Sequence, residues 1–157
     1  MTAGVLTVSD SRDEVSDESG ALLAALLAAE GFEVERRRVP DDAGEIAAAI
    51  RALAAEARLV LTTGGTGLAP RDVTPEATLA VLERAAPGIA EAIRADAIAR
   101  TPHGLLSRGV AGVVGSTLVV NLPGSPGGCR DGFAVLRPAL RHALALLSTQ
   151  TTTHRQT

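Results

Sequence analysis

Apolar positions along the chain alternate between two periods. Ala3–Ser9 (AGVLTVS) is a short apolar run of the kind that makes a buried strand. After the polar, turn-like stretch Asp10–Ser16, Leu22, Leu23, Leu26 and Leu27 recur at helical spacing. Asp17 and Glu18 suit the first turn of that helix, and Gly31 suits its C-terminal stop. Glu33–Val39 alternates weakly and predicts a second strand, ended by Pro40. Asp42 and Glu45 then open a helix as a capping-box-like pair, with Ile46, Ala49, Ile50 and Leu53 as its buried stripe. Arg58–Thr63 (RLVLTT) is the clearest strand and runs into Gly64–Gly65–Thr66–Gly67.

Thr74 has the chemistry of an N-cap, with Pro75 at the first helical position, and the helix is expected to reach Arg84. Pro87 opens another, to about Ala99. Gly109–Val114 and Ser116–Leu122 are apolar and β-branched with Gly115 between them, as in a hairpin. Asn121–Gly128 (NLPGSPGG) is expected to be an irregular loop. Phe133, Leu136, Leu140, Leu144 and Leu147 mark a final helix, and the polar residues from Ser148 are expected to fray. Strands alternating with helices predict one α/β sandwich domain on a mostly parallel sheet, over residues 1–148, with a polar tail at 149–157. Ligands of such sheets bind beyond the carboxyl ends of the strands.

Composition narrows the chemistry. The 157 residues are 46 % apolar, enough for one self-supporting core. The apolar runs end well short of a membrane span, and no leader pattern opens the chain, so a cytoplasmic protein is expected. Cys129 has no second thiol, and His103, His142 and His154 are scattered, so a zinc cluster is not expected and a metal here would be a hard ion such as Mg²⁺. The net charge of −3 argues against a nucleic-acid partner, and Arg36–Arg38 reads as a solvated strand edge. There is no lysine. That excludes a Walker A loop and any Schiff-base mechanism.

Four segments carry candidate chemistry, all at expected strand ends. In Thr62–Gly67 the glycines bare the backbone, so that Thr63, Gly64, Gly65, Thr66 and Gly67 can cradle phosphate through N–H and hydroxyl groups; a plain tight turn has the same look. Asp72 follows beside Arg71. A carboxylate next to phosphate requires a cation between them, unless Asp72 merely caps the turn. Asp41 sits at the end of the second strand without the capping duty of Asp42, and can complete a metal site with Asp72. The fourth segment is Asn121, Pro123, Gly124, Ser125 and Pro126, a rigid loop suited either to a second phosphate or pterin cradle or to tight strand–helix packing. Ser9 and Asp10 on the first strand, and Ser107 with Arg108, are weaker candidates. Leu105 and Leu106 are expected to anchor the last pair, leaving Arg108 to hold an anion.

Together these segments resemble the MoaB/Mog family of molybdenum cofactor biosynthesis proteins, whose relatives include a domain of gephyrin. The matching stretches are Ser9–Ser11, VPDD at Val39–Asp42, LTTGGTGLAPRDVTPEAT at Leu61–Thr78, LLSRGVAG at Leu105–Gly112 and NLPGSP at Asn121–Pro126. The resemblance implies a three-layer α/β/α fold assembled as a homotrimer or hexamer. It implies transfer of AMP from Mg²⁺-ATP to molybdopterin, giving adenylyl-molybdopterin and pyrophosphate. It also implies that Asp41 and Asp72 are catalytic and hold Mg²⁺, and that the two glycine-rich loops, with Thr74, bind the substrates. Three rival readings remain: a non-catalytic molybdopterin-binding paralogue or scaffold, a molybdenum-inserting enzyme, and a domain acting on other phosphorylated small molecules.

Overall fold

A computed structural model describes residues 1–10 and 17–153, with side chains through Thr149. The expectations for 11–16, Ser11 among them, and for 154–157 lie outside the described residues. In chain order the elements are β1 (Thr2–Val8), α1 (Glu18–Ala29), β2 (Glu33–Val39), α2 (Ala43–Glu56), β3 (Leu59–Thr63), α3 (Thr74–Val81), β4 (Arg84–Ala85), α4 (Pro87–Arg100), β5 (Ala111–Val114), β6 (Thr117–Leu122) and α5 (Pro126–Thr153). A short 3-10 turn, Pro102–Leu106, links α4 to β5.

The strands form one sheet in the order β2-β1-β3-β6-β5-β4. The first four are mutually parallel, whereas β5 and β4 add antiparallel pairs. Side chains of successive strand residues point to opposite faces, and the core divides accordingly. Val5, Leu59, Leu61, Leu118 and Val120 meet Leu23, Leu27, Phe133, Leu136 and Leu140 of α1 and α5. Leu6, Val8, Val60 and Val119 meet Ile46, Ile50, Leu53, Ala77 and Val81 of α2 and α3. The result is the three-layer α/β/α sandwich expected from the alternation of elements. Burying one such leucine is worth about 1.5–3 kcal/mol. Strand β2 pairs on one side only. Its arginines are solvated as expected, with Arg36 bonded to Asp17 at 2.8 Å and Arg37 to Glu35 at 2.9 Å. Among the described residues no helix is long and apolar enough to cross a membrane.

Several local expectations hold for their stated reasons. Asp42 caps α2 by accepting from the Glu45 amide at 2.9 Å, and Gly31, at φ +92°, closes α1 in the left-handed region. Others change. Helix α3 stops at Val81 rather than Arg84, because the following residues bond to β5: the amides of Glu83 and Ala86 donate to Val113 and Ala111. Thr74 is not an N-cap. That position falls to Val73, which has no side-chain cap, and the Thr74 hydroxyl reaches back to the Gly64 carbonyl instead. The loop expected at Asn121–Gly128 shrinks to Pro123–Ser125, with strand on one side and helix on the other. Leu105 and Leu106 do not anchor their segment, being 66 % and 48 % exposed. Helix α5 continues through Ser148 to Thr153, where fraying was expected.

The last apolar side chain that α5 buries is Leu147, and Ser148 and Thr149 are exposed. Deleting residues 149–157 is therefore expected to lower the melting temperature by no more than about 2 °C. Scanning calorimetry on the truncated chain checks this, and a larger drop would show that the tail docks.

Candidate functional site

The glycine loop after β3 gets its shape from bonds that turn its carbonyls inward. The Gly64 carbonyl accepts from the Thr74 hydroxyl at 2.9 Å and the Gly65 carbonyl from the Thr74 amide at 3.1 Å. The Thr66 carbonyl accepts from the Arg108 amide and the Gly67 carbonyl from Arg108 Nε, both at 2.8 Å. The N–H groups of Gly65, Thr66 and Gly67 consequently face outward, and among the described residues they donate to nothing. Such a row of free N–H groups is an anion cradle. Glycine is required at two positions. Gly64, at φ +98°, passes so near β1 that a Cβ would lie 2.4 Å from the Val8 carbonyl oxygen. Gly65, at φ +69°, would place one 2.2 Å from Thr74 Oγ1.

The first turn of α5 completes the second wall. Ser125 caps it, its hydroxyl oxygen accepting from the Gly128 amide at 3.1 Å. The Gly124 carbonyl is held by the Ser19 hydroxyl at 2.7 Å. A Cβ at Gly124 would come within 3.4 Å of Gly64 Cα, so the two glycine-rich loops meet face to face. Gly127 and Gly128 bring bare backbone from the positive end of α5 to the same cleft. The cleft has a volume of about 690 Å³, ample for a nucleotide-sized ligand.

Three acids lie near the glycine loop, of which Asp72 lines the cleft. Asp41 follows β2, and its Oδ1 would lie 3.3 Å from a Cβ on Gly65; Asp72 Oδ2 would lie 2.9 Å from one on Gly67. Both carboxylates thus flank the cradle. Asp10 accepts from the Asp41 amide at 2.9 Å and pairs with Arg71 at 2.6 Å. Burial, the charge of Asp10 and a hydrogen bond to it, and the charge of Asp72 all push the Asp41 carboxyl above the usual carboxylate range, with Arg71 opposing. Crowded hard oxygens of this kind fit a divalent cation. Among the described residues no three metal-type side chains converge, so an ion here would take phosphate oxygens and water as its other ligands, as Mg²⁺ does.

The sequence-predicted residues divide into two groups. Gly65, Thr66, Gly67, Asp72, Ser107, Pro123, Gly124 and Ser125 line the cleft. Thr63, Thr74 and Asn121 do not: they are 1 %, 0 % and 5 % exposed, with every polar group engaged inside the protein. The Thr63 hydroxyl donates to the Pro123 carbonyl at 2.7 Å. The Asn121 amide nitrogen donates to Thr62 and Thr78, and its oxygen accepts from the Val110 amide. These three hold the loops in place. Arg71 pairs with Asp10. Arg108 bonds Gly67, Asp72 and Glu76. The Gly64 amide donates to the Leu122 carbonyl, Pro126 opens α5, and Ser9 donates its amide to the Val39 carbonyl beside Asp10.

Sequence reasoning missed the wall formed by α4 and the 3-10 turn. Ile93, Asp96, Ala97 and Arg100 line the cleft with His103 and, from α5, Asp131. Arg100 bonds Asp96 at 2.9 Å and reaches Asp131 at 3.6 Å. The available signal was the Asp96–Arg100 spacing of four, which also marks an ordinary solvated helix face.

Residues 4–142 match the family model described as a probable molybdopterin binding domain. The chain belongs to this molybdopterin-binding domain family. The whole chain is 40 % identical to part of the Drosophila melanogaster molybdenum cofactor synthesis protein cinnamon, but spans only 27 % of that protein's length. Over 80 % of its length it is 40 % identical to the molybdopterin adenylyltransferase of Haemophilus influenzae, covering 68 % of that protein. Among solved structures, the molybdopterin biosynthesis Mog protein of Mycobacterium ulcerans superposes with a TM-score of 0.88 at 43 % identity, over 93 % of this chain and 98 % of that one. The carboxylates beside the glycine loop can be tested without any ligand.

A carboxyl whose proton is held more tightly in the folded state stabilises the fold below its unfolded pKa. That stability is lost as pH rises through the folded value. At pH 7 the ionised Asp41 should therefore weaken the metal-free fold slightly. Asp41→Asn is expected to raise the melting temperature at pH 7 by about 1–3 °C. The gain should vanish below the ordinary value of 3.8. Melting curves of both proteins between pH 3 and pH 8 measure it, and a variant less stable at pH 7 would contradict the crowding.

Proposed function

We propose that this chain transfers the adenylyl group of ATP to molybdopterin, releasing pyrophosphate and giving adenylyl-molybdopterin, as a cytoplasmic step of molybdenum cofactor biosynthesis. The observation that carries the reading is the glycine loop, whose three free N–H groups face a nucleotide-sized cleft between two carboxylates. A phosphate oxygen of molybdopterin attacks the α-phosphorus of ATP. The bond from that phosphorus to the bridging oxygen breaks, and pyrophosphate leaves with the electron pair. The nucleophile is already ionised near neutral pH, so no general base is required. The chain's task is to align the groups and balance their charge.

Its means are visible in the residues. The N–H groups of Gly65, Thr66 and Gly67 and the positive end of α5 receive phosphate oxygens. Asp41 and Asp72 are the residues that would hold Mg²⁺. When bound, that ion neutralises the phosphate oxygens and makes pyrophosphate a better leaving group. The relatives named for this activity and the match to the molybdopterin-binding domain support the assignment.

Asparagine has nearly the size of aspartate, so Asp72→Asn and Asp41→Asn should fold. Each is expected to lower adenylyl transfer about 10²-fold or more while leaving molybdopterin affinity within about threefold. Mass spectrometry of the adenylylated product, with titration of molybdopterin alone, measures both. Turnover within twofold of wild type in both variants would remove the metal role. Wild-type protein that binds molybdopterin but forms no product would establish the non-catalytic reading.

The proposal extends to assembly. Ile98, Leu105 and Leu106 are 39 %, 66 % and 48 % exposed along α4 and the 3-10 turn, and Leu68 is 64 % exposed. Apolar surface of this size is ordinarily covered in a closed homo-oligomer, here a trimer or hexamer. Light scattering at micromolar concentration is expected to give three or six times the 16.0 kDa chain mass, and a monomer would refute it.

A further inference from the structure

We propose that Arg108 is a positioning residue that sets the glycine loop for phosphate without touching the phosphate; this rests on the phosphate-binding role of the loop proposed above. Arg108 lies inside the curve of the segment Thr66–Asp72. Its amide donates to the Thr66 carbonyl and its Nε to the Gly67 carbonyl, both at 2.8 Å, and Nη2 donates to the Asp72 carbonyl at 2.7 Å. Nη1 pairs with the Glu76 carboxylate, whose proton affinity this contact lowers. One residue therefore gathers three backbone carbonyls from seven residues of chain.

Two consequences follow for the site. A peptide unit whose carbonyl points at Arg108 has its N–H on the opposite side, so the Arg108 amide fixes the direction of the Gly67 N–H, and the guanidinium fixes the next peptide, Gly67–Leu68, at the end of the cradle. The bond to the Asp72 carbonyl also places the Asp72 main chain, and with it the carboxylate beside Gly67. The same geometry commits three of the five guanidinium N–H donors to protein oxygens, so Arg108 acts on the loop before it acts on any anion. Glu76 is the outermost partner, 54 % exposed at its side chain, and completes the charge pairing without shaping the loop.

Lysine separates the two roles. An ammonium keeps the positive charge and serves well as a phosphate ligand, but it cannot reproduce a planar fork reaching Gly67, Asp72 and Glu76 together. The experiment compares wild type, Arg108→Lys, Glu76→Gln and Leu136→Val by calorimetric titration with inorganic pyrophosphate and with Mg²⁺-ATP. It adds KM and kcat for ATP, and melting temperatures throughout. Leu136 is buried in the core and does not line the cleft, lying about 6 Å along α5 beyond Gly132, so its variant controls for general loss of stability. Arg108→Lys is expected to weaken pyrophosphate binding and raise KM for ATP about tenfold. Glu76→Gln and Leu136→Val should stay within twofold of wild type. Arg108→Lys binding as wild type does would overturn the inference while leaving the phosphate reading intact. So would Leu136→Val losing as much affinity as Arg108→Lys at equal melting temperature. Wild-type protein that binds neither probe would overturn the phosphate reading and this inference with it.

Discussion

Every peptide unit carries its two polar groups on opposite sides, and the site depends on that constraint. Buried backbone carbonyls must find donors. In the stretch from Gly64 to Asp72 the donors are supplied from below, by Thr74 and Arg108. Satisfying the carbonyls on that side turns the N–H groups toward the cleft. The anion cradle is thus the other half of an internal hydrogen-bond network, and much of its chemistry belongs to residues no ligand reaches.

The same division explains which parts of the molecule were legible in the sequence. Strand β3 and the buried stripe of α2 announce themselves by period, because burial is local and repetitive. The Asp42 cap and Gly31 are legible because each answers a requirement of its own helix end. Thr74 misleads for an instructive reason. Threonine before proline has the profile of an N-cap, but the Gly64 carbonyl, brought close only by folding, takes the hydroxyl instead. Thr63 and Asn121 were read as ligand contacts because polar residues at strand ends often are. Their partners, Pro123, Thr62, Thr78 and Val110, lie eleven to sixty residues away, beyond what spacing reveals. The α4 wall was illegible because its residues also suit a helix face in water.

Charge is organised with equal economy in a chain that has no lysine. Arg108 is turned into the fold, and Arg71 balances Asp10 beside Asp41. Among the described residues, Arg108 and Arg71 thus stabilise the loop's scaffold and its acids, while backbone N–H groups and the end of α5 supply positive potential on the cleft side. Backbone dipoles cannot swing away or collapse onto a carboxylate. They hold their orientation before the ligand arrives, which is what preorganised stabilisation requires.

The junction between the two glycine-rich loops contains the chain's single thiol. Cys129 is fully buried on the first turns of α5, with its sulfur 3.2 Å from the Thr63 hydroxyl and 3.1 Å from the Pro123 carbonyl. Burial raises its proton affinity, against hydrogen bonds from Thr63 and Ser19, so it is neither exposed nor ionised enough to react. An alkylating reagent reaches it only when α5 lifts from the end of β3. The rate of its modification therefore counts excursions in which the floor of the cleft opens, a built-in clock for local unfolding that needs no introduced label.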